Sequence, residues 1–125
     1  MSTALNDLKN QALIGASVFP STVNDTNNGS SIDMIEADGR CFAIQAIGAV
    51  GGTGPSLAGK IQESSDNSAW TDVAGATFTS VTASNNLQTI TFDRTKRFLR
   101  HARTVAGTGP TFALAALIGE QKKTI

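Results

Sequence analysis

A thirteen-residue pattern occurs twice in this chain, and the two copies constrain the fold more than any other feature. Residues 49–61 read A-V-G-G-T-G-P-S-L-A-G-K-I, and residues 104–116 read T-V-A-G-T-G-P-T-F-A-L-A-A. Offset by 55 positions, they share Val50/Val105, Gly52/Gly107, Thr53/Thr108, Gly54/Gly109, Pro55/Pro110 and Ala58/Ala113. Each copy is an apolar run, a Gly-Thr-Gly-Pro break and a second apolar run. Glycine admits positive φ, and proline fixes φ while removing a ladder donor, so the pattern predicts a β-hairpin at each copy. The offset is too long for a solenoid, whose periods are roughly 20–50 residues. Two hairpins of one sandwich are expected, with tips Gly51–Pro55 and Gly107–Pro110 at the same end, packed against a neighbouring subunit.

At 125 residues the chain is sized for one core. Only 16% of it is charged, against roughly 25% in ordinary domains. Ser, Thr, Asn and Gly fill the difference, a palette that favours strands and turns over long helices. Strand-like runs follow one another from Cys41–Val50 through Leu57–Glu63, Trp70–Val73, Thr77–Val81, Leu87–Phe92 and Phe98–Val105 to Thr111–Ile118. Shorter ones are expected at Ser17–Phe19, ended by Pro20, and at Ile32–Ile35, ended by a turn at Ala37-Asp38-Gly39. The fold class is therefore all-β: a single β-sandwich or jelly-roll-like domain of 7–8 short strands. Residues 2–13 hold the best helical spacing, with Leu5, Leu8 and Ala12 on one face, so residues 1–14 read as an N-terminal arm. The sandwich then spans 15–119, and 120–125 form a polar tail. The N-terminus shows no basic stretch leading into a long apolar one, so synthesis in a reducing cytoplasm is expected. Cys41, the only cysteine, sits in an apolar run and reads as a small buried hydrophobe.

The motifs that suggest chemistry fail on inspection. Gly54–Lys60 approaches a phosphate loop, but Ile61 stands where a Ser or Thr should bind magnesium, and a strand rather than a helix follows. Asn24–Gly29 resembles a calcium loop without its closing glutamate, since Ile35 occupies that slot. His101 has no second histidine and no serine in an elbow context, so it reads as a strand-surface residue. No catalytic residue, metal site or cofactor is expected. Net charge is zero but segregated: residues up to Asp93 carry −6 and those from Arg94 onward carry +6. Arg94, Lys96, Arg97, Arg100 and Arg103 form one basic cluster. With a pI of about 6.5 and no interleaved aromatic except Phe98, the cluster reads as ion pairs within or between subunits, rather than as a nucleic-acid surface.

The stretch Lys60-Ile-Gln-Glu-Ser-Ser-Asp-Asn-Ser-Ala-Trp-Thr-Asp-Val73 places a strand, a turn and a tryptophan-led strand in succession. It is followed by Arg97-Phe98-Leu99-Arg100 and by Thr104-Val-Ala-Gly-Thr-Gly-Pro-Thr-Phe112. In that order, over about residues 29–118, these elements resemble small bacteriophage virion proteins. The tryptophan hairpin is also similar to that of discoidin-type carbohydrate-binding jelly rolls, where it is structural. The resemblance implies a non-enzymatic virion component, a head decoration or cement protein at the capsid surface. Its expected partners are a major capsid protein and further copies of itself as a homotrimer, with neither membrane nor nucleic acid among them. The expected contacts are Leu5, Leu8 and Leu13 of the arm, the tips Gly51, Gly52, Thr53, Gly54, Pro55, Gly107, Thr108, Gly109 and Pro110, and the cations Arg94, Lys96, Arg97 and Arg103. A carbohydrate-binding or tail-associated module is the alternative.

Overall fold

The computed structural model describes residues 12–122, so Leu5 and Leu8 of the expected arm lie outside the described residues. Seven strands make one antiparallel sheet: β1 (Ala12–Val23), β2 (Asn27–Asn28), β3 (Ile32–Asp33), β4 (Ala37–Ser64), β5 (Thr71–Thr77), β6 (Asn86–Phe92) and β7 (Phe98–Lys122). The chain is all-β, as its composition predicts. Two strands carry the sheet. β4 and β7 pair along almost their whole length, from Ala37 opposite Lys122 to Ser64 opposite Phe98. Strands β5 and β6 line β4, while β1, β2 and β3 line β7.

The expected hairpins are absent. Each Gly-Thr-Gly-Pro lies inside a long strand, and the two copies cross one another, with Thr53 opposite Thr108. Around this pair the contacts repeat in mirrored order: Val50 faces Phe112 and Leu57 faces Val105. The repeat is therefore a local two-fold symmetry of one ladder, and it does bring both segments to the same place. The glycines explain why the ladder can turn here. Gly52 and Gly107 take φ of 102° and 118°, and Gly54 and Gly109 take 58° and 59°. A Cβ on Gly52 would stand 2.6 Å from the Gly109 carbonyl oxygen, and one on Gly107 would stand 2.7 Å from that of Gly54. Pairing skips a register on either side of Thr53, so the prolines fall where no ladder donor is required.

Beyond this corner the sheet doubles back on itself. Gln45 lies opposite Ala116 and His101 opposite Ile61, 16 residues away along β4. On a flat ladder that is roughly 50 Å, at about 3.3 Å per residue. Yet Gln45 Oε1 and His101 Nε2 are 2.8 Å apart. One layer thus holds β6, the first half of β4, the second half of β7 and β1. The other holds β5, the second half of β4, the first half of β7, and β2 with β3. Between them Cys41, Ala43 and Ile118 of the first layer pack on Met34, Ile61, Val73 and Leu99 of the second, alongside Phe78. Nearer the corner Ile47, Phe112 and Leu114 pack on Leu57 and Val81.

Several local expectations are corrected. Ala12 and Leu13 begin β1 instead of ending a helix, and Leu13 pairs with Glu120 while packing on the core. Pro20 does not stop β1: the register shifts between Val18 and Ser21 and pairing resumes to Val23. Asn27–Asn28 in the Asn-rich loop pair with Ala102–Arg103. Residues 37–39 open β4 rather than forming a turn, and β7 runs past residue 119 to Lys122 with Glu120 buried. Propensity misled at each site because pairing to a long neighbour outweighs it.

The crossing makes a sharp demand on Gly52 and Gly107. Gly52→Ala and Gly107→Ala are expected to destabilise by similar amounts, about 3 kcal/mol or more, because positive φ and a backbone clash coincide. Gly54→Ala and Gly109→Ala meet open space and are expected to cost about 1–2 kcal/mol, the left-handed φ penalty alone. Urea unfolding of the four variants checks the ranking.

Candidate interaction surface

The basic cluster is satisfied within the chain. Arg97 makes a two-point ion pair with Asp33, at 2.8 and 2.7 Å. Arg103 donates to the Asp25 carboxylate at 2.8 Å and to its carbonyl at 2.9 Å. Hydrogen bonds from these arginines hold the Asp25 and Asp33 carboxyls below their usual range. Arg94 donates to Glu120 at 2.7 Å and to the carbonyls of Met34, Ala37 and Lys96, which ties three segments together. Arg100 donates to Gln62 and lies 4.2 Å over the ring of Trp70, a half-buried residue rather than a core anchor. Lys96 reaches Thr71 Oγ1 at 3.2 Å. The segregated charge of the sequence is therefore explained by topology. Asp25, just before β2, meets Arg103 of β7, and Asp33 of β3 meets Arg97, just before β7.

Two buried polar groups serve the same architecture. Glu63 accepts from the backbone N–H groups of Thr95 and Lys96 and from Thr95 Oγ1, so it fixes the loop before β7. Cys41 donates to Glu120 at 3.2 Å, and burial foremost, then that carboxylate, push its thiol up to about 12. The thiol is inert, as its apolar run predicts.

His101 departs furthest from its expected place on the strand surface. It is 0% exposed and not a surface residue. Because Gln45 Oε1 can only accept, His101 Nε2 must carry the proton, leaving Nδ1 and the Gln45 amide nitrogen without partners. Gly59 makes room for this pair, since any Cβ there would overlap both side chains. Burial first, and then Arg103, push the His101 pKa down to about 4.

No protein-family model matches the chain, and no curated protein is significantly similar to it. The surface itself must indicate function. Among the described residues no three His, Cys, Asp or Glu side chains gather to hold a metal ion. Thr53, Gly54, Thr108 and Gly109 stand exposed at the crossing, while Pro55 and Pro110 are half-buried. Arg94, Lys96, Arg97 and Arg103 lie along the internal ties described above, apart from this corner. A second surface was not anticipated. On the outer face of the first layer an open groove of about 490 Å³ runs between Pro20 and Ser21 of β1 and Asn86 and Leu87 of β6. Ala46, Gly48, Ala113 and Ala115 make its shallow floor, and no lining residue is charged. Leu87 in its lining is 71% exposed, and Phe19, the chain neighbour of Pro20, is 73% exposed. The signal available in sequence was the small side chains at alternating positions of two strands, but only pairing shows that they are neighbours.

The buried histidine sets an acid limit. Its folded pKa lies below the ordinary 6.5, so the unfolded chain takes up a proton that the folded one refuses. Stability should be full above about pH 6.5 and fall as pH drops toward 4, by about 2–3 kcal/mol at pH 4.5. Urea unfolding at pH 7 and 4.5 measures this, and His101→Gln should remove most of the dependence in that window. An equal loss in the variant would contradict it.

Proposed function

We propose that this chain is a non-enzymatic structural component of a bacteriophage particle, a decoration protein that docks on the head shell. The observation that carries the reading is the uncharged apolar groove with Leu87 exposed in its lining, and the exposed Phe19 next to Pro20 in β1. Large apolar side chains grouped on an exposed face mark a protein contact, not a solvated surface. The scaffold beneath is suited to such a contact. Two layers share both long strands, so a load on the outer face passes directly into the core. The motif resemblance over residues 29–118 supplies the kind of particle. Sugar recognition through Trp70 is disfavoured, because Arg100 already covers one face of its ring.

Purified protein mixed with undecorated capsids should bind stoichiometrically and saturate. Phe19→Ser, which alters an exposed side chain on the β1 side of the groove, should weaken that binding by about tenfold with the fold intact, an interface loss of about 1.4 kcal/mol. Failure of the unaltered protein to bind capsids of its own phage would overturn the reading.

A further inference from the structure

Sheet edges are exposed templates for another strand, and proteins usually interrupt them with proline, charge, bulges or brevity. Among the described residues three of the four edges here are treated in that way. β1 carries Pro20 and two register shifts, and its Ser17 carbonyl is occupied by the N–H of Ser30. β2 and β3 are two residues each. β5 has a register shift in its pairing with β4, a charged Asp72 bound to Lys60, and Gly75 at φ 76°.

β6 has none of these. It reads N-L-Q-T-I-T-F, with no charge, no proline and no glycine. It pairs with β4 in unbroken register, and among the described residues no strand is hydrogen-bonded to its far side, although β5 of the other layer approaches it. Among the described residues its lateral tie is the Gln88 amide, which accepts from Thr79 N–H at 2.8 Å and donates to the Thr79 carbonyl at 2.9 Å. Leu87, Thr89 and Thr91 project from the outer face, the first of them at the rim of the apolar groove.

We infer that β6 is a self-association edge, which pairs antiparallel with β6 of a second copy about a two-fold axis at Thr89. The charges at its ends select this arrangement. Arg40 and Asp93 form an exposed pair 3.7 Å apart at the Phe92 end, where Arg40 also approaches Thr91, whereas the other end is Asn85-Asn86. Antiparallel pairing sets each charged end against a neutral one. Parallel pairing would set Asp93 against Asp93 and Arg40 against Arg40, which is repulsive. In the antiparallel pair Leu87 faces the partner's Thr91, and Thr89 faces its own copy. A charged peptide would find no counter-charge along this edge, so a second copy of the same neutral strand is the occupant that fits. The inference stands independently of what the protein decorates, and its two-fold symmetry departs from the trimer that the resemblance implies.

Sedimentation of the full chain from micromolar to millimolar concentration tests it. The unaltered protein should show a monomer–dimer equilibrium. Thr89→Lys and Thr89→Asp, each at an exposed position and each retaining the native circular dichroism, should weaken dimerisation by about tenfold or more through like charges at the axis. An equimolar mixture of the two should recover association. A protein that stays monomeric throughout, a trimer indifferent to both variants, or a mixture that fails to recover would overturn the inference. Because Phe19→Ser and capsid binding probe the opposite rim of the groove, either proposal can fail alone.

Discussion

The structure depends on one close approach of backbone to backbone, where Gly52 lies under the Gly109 carbonyl and Gly107 under that of Gly54. No side chain fits between them, so two long strands can turn together with only a register shift on either side of Thr53. Were either strand to stop there, one layer would lose one of its two central strands. Instead β4 and β7 supply the middle of both layers, and the flanking strands need only add to edges that already exist. The two central strands make the inside of the sandwich as well as its outer groove.

The same topology explains the charge pattern and the buried polar groups. Pairing β2 and β3 with β7 brings Asp25 and Asp33 to Arg103 and Arg97, so segregation along the sequence becomes neutralisation in space. Folding the ladder back places Gln45 against His101, two residues that occupy matching positions on the two long strands. Their pairing marks the local two-fold in the core, as Thr53 and Thr108 mark it at the corner. With these cations tied internally, the groove and the unpaired edge of β6 stand out as uncharged surface.

Much of this was legible in the residues, and the limits have physical causes. Glycine-rich punctuation, alternation at Leu57, Gly59 and Ile61, and the absence of convincing helix announce an all-β chain. The repeat announces symmetry, but Gly-Thr-Gly-Pro is compatible with a tight hairpin and with a twisted crossing of two strands. Local φ preferences cannot separate the two, because the deciding contact is 55 residues away. His101 looked exposed because a lone histidine among arginines resembles a solvated strand face. Its burial depends on Gln45 and Gly59, which belong to other parts of the ladder. The burial of Cys41 follows from its apolar run, since a small thiol in such a run needs no distant partner to be buried. The groove is not legible in sequence, because Ala46, Gly48, Ala113 and Ala115 become neighbours only once two strands are side by side.

The crossing itself is open to direct measurement. Partners facing one another on antiparallel strands have Cα atoms roughly 4.5–5.5 Å apart, within the range a disulfide spans. Thr53 and Thr108 are such partners and both are exposed, while the native Cys41 is buried and inert. The double variant Thr53→Cys/Thr108→Cys should close an intramolecular disulfide in nearly every folded molecule on mild oxidation. Two thiols that stay free, or that link only between molecules while the fold persists, would contradict the crossed ladder on which this account of the fold depends.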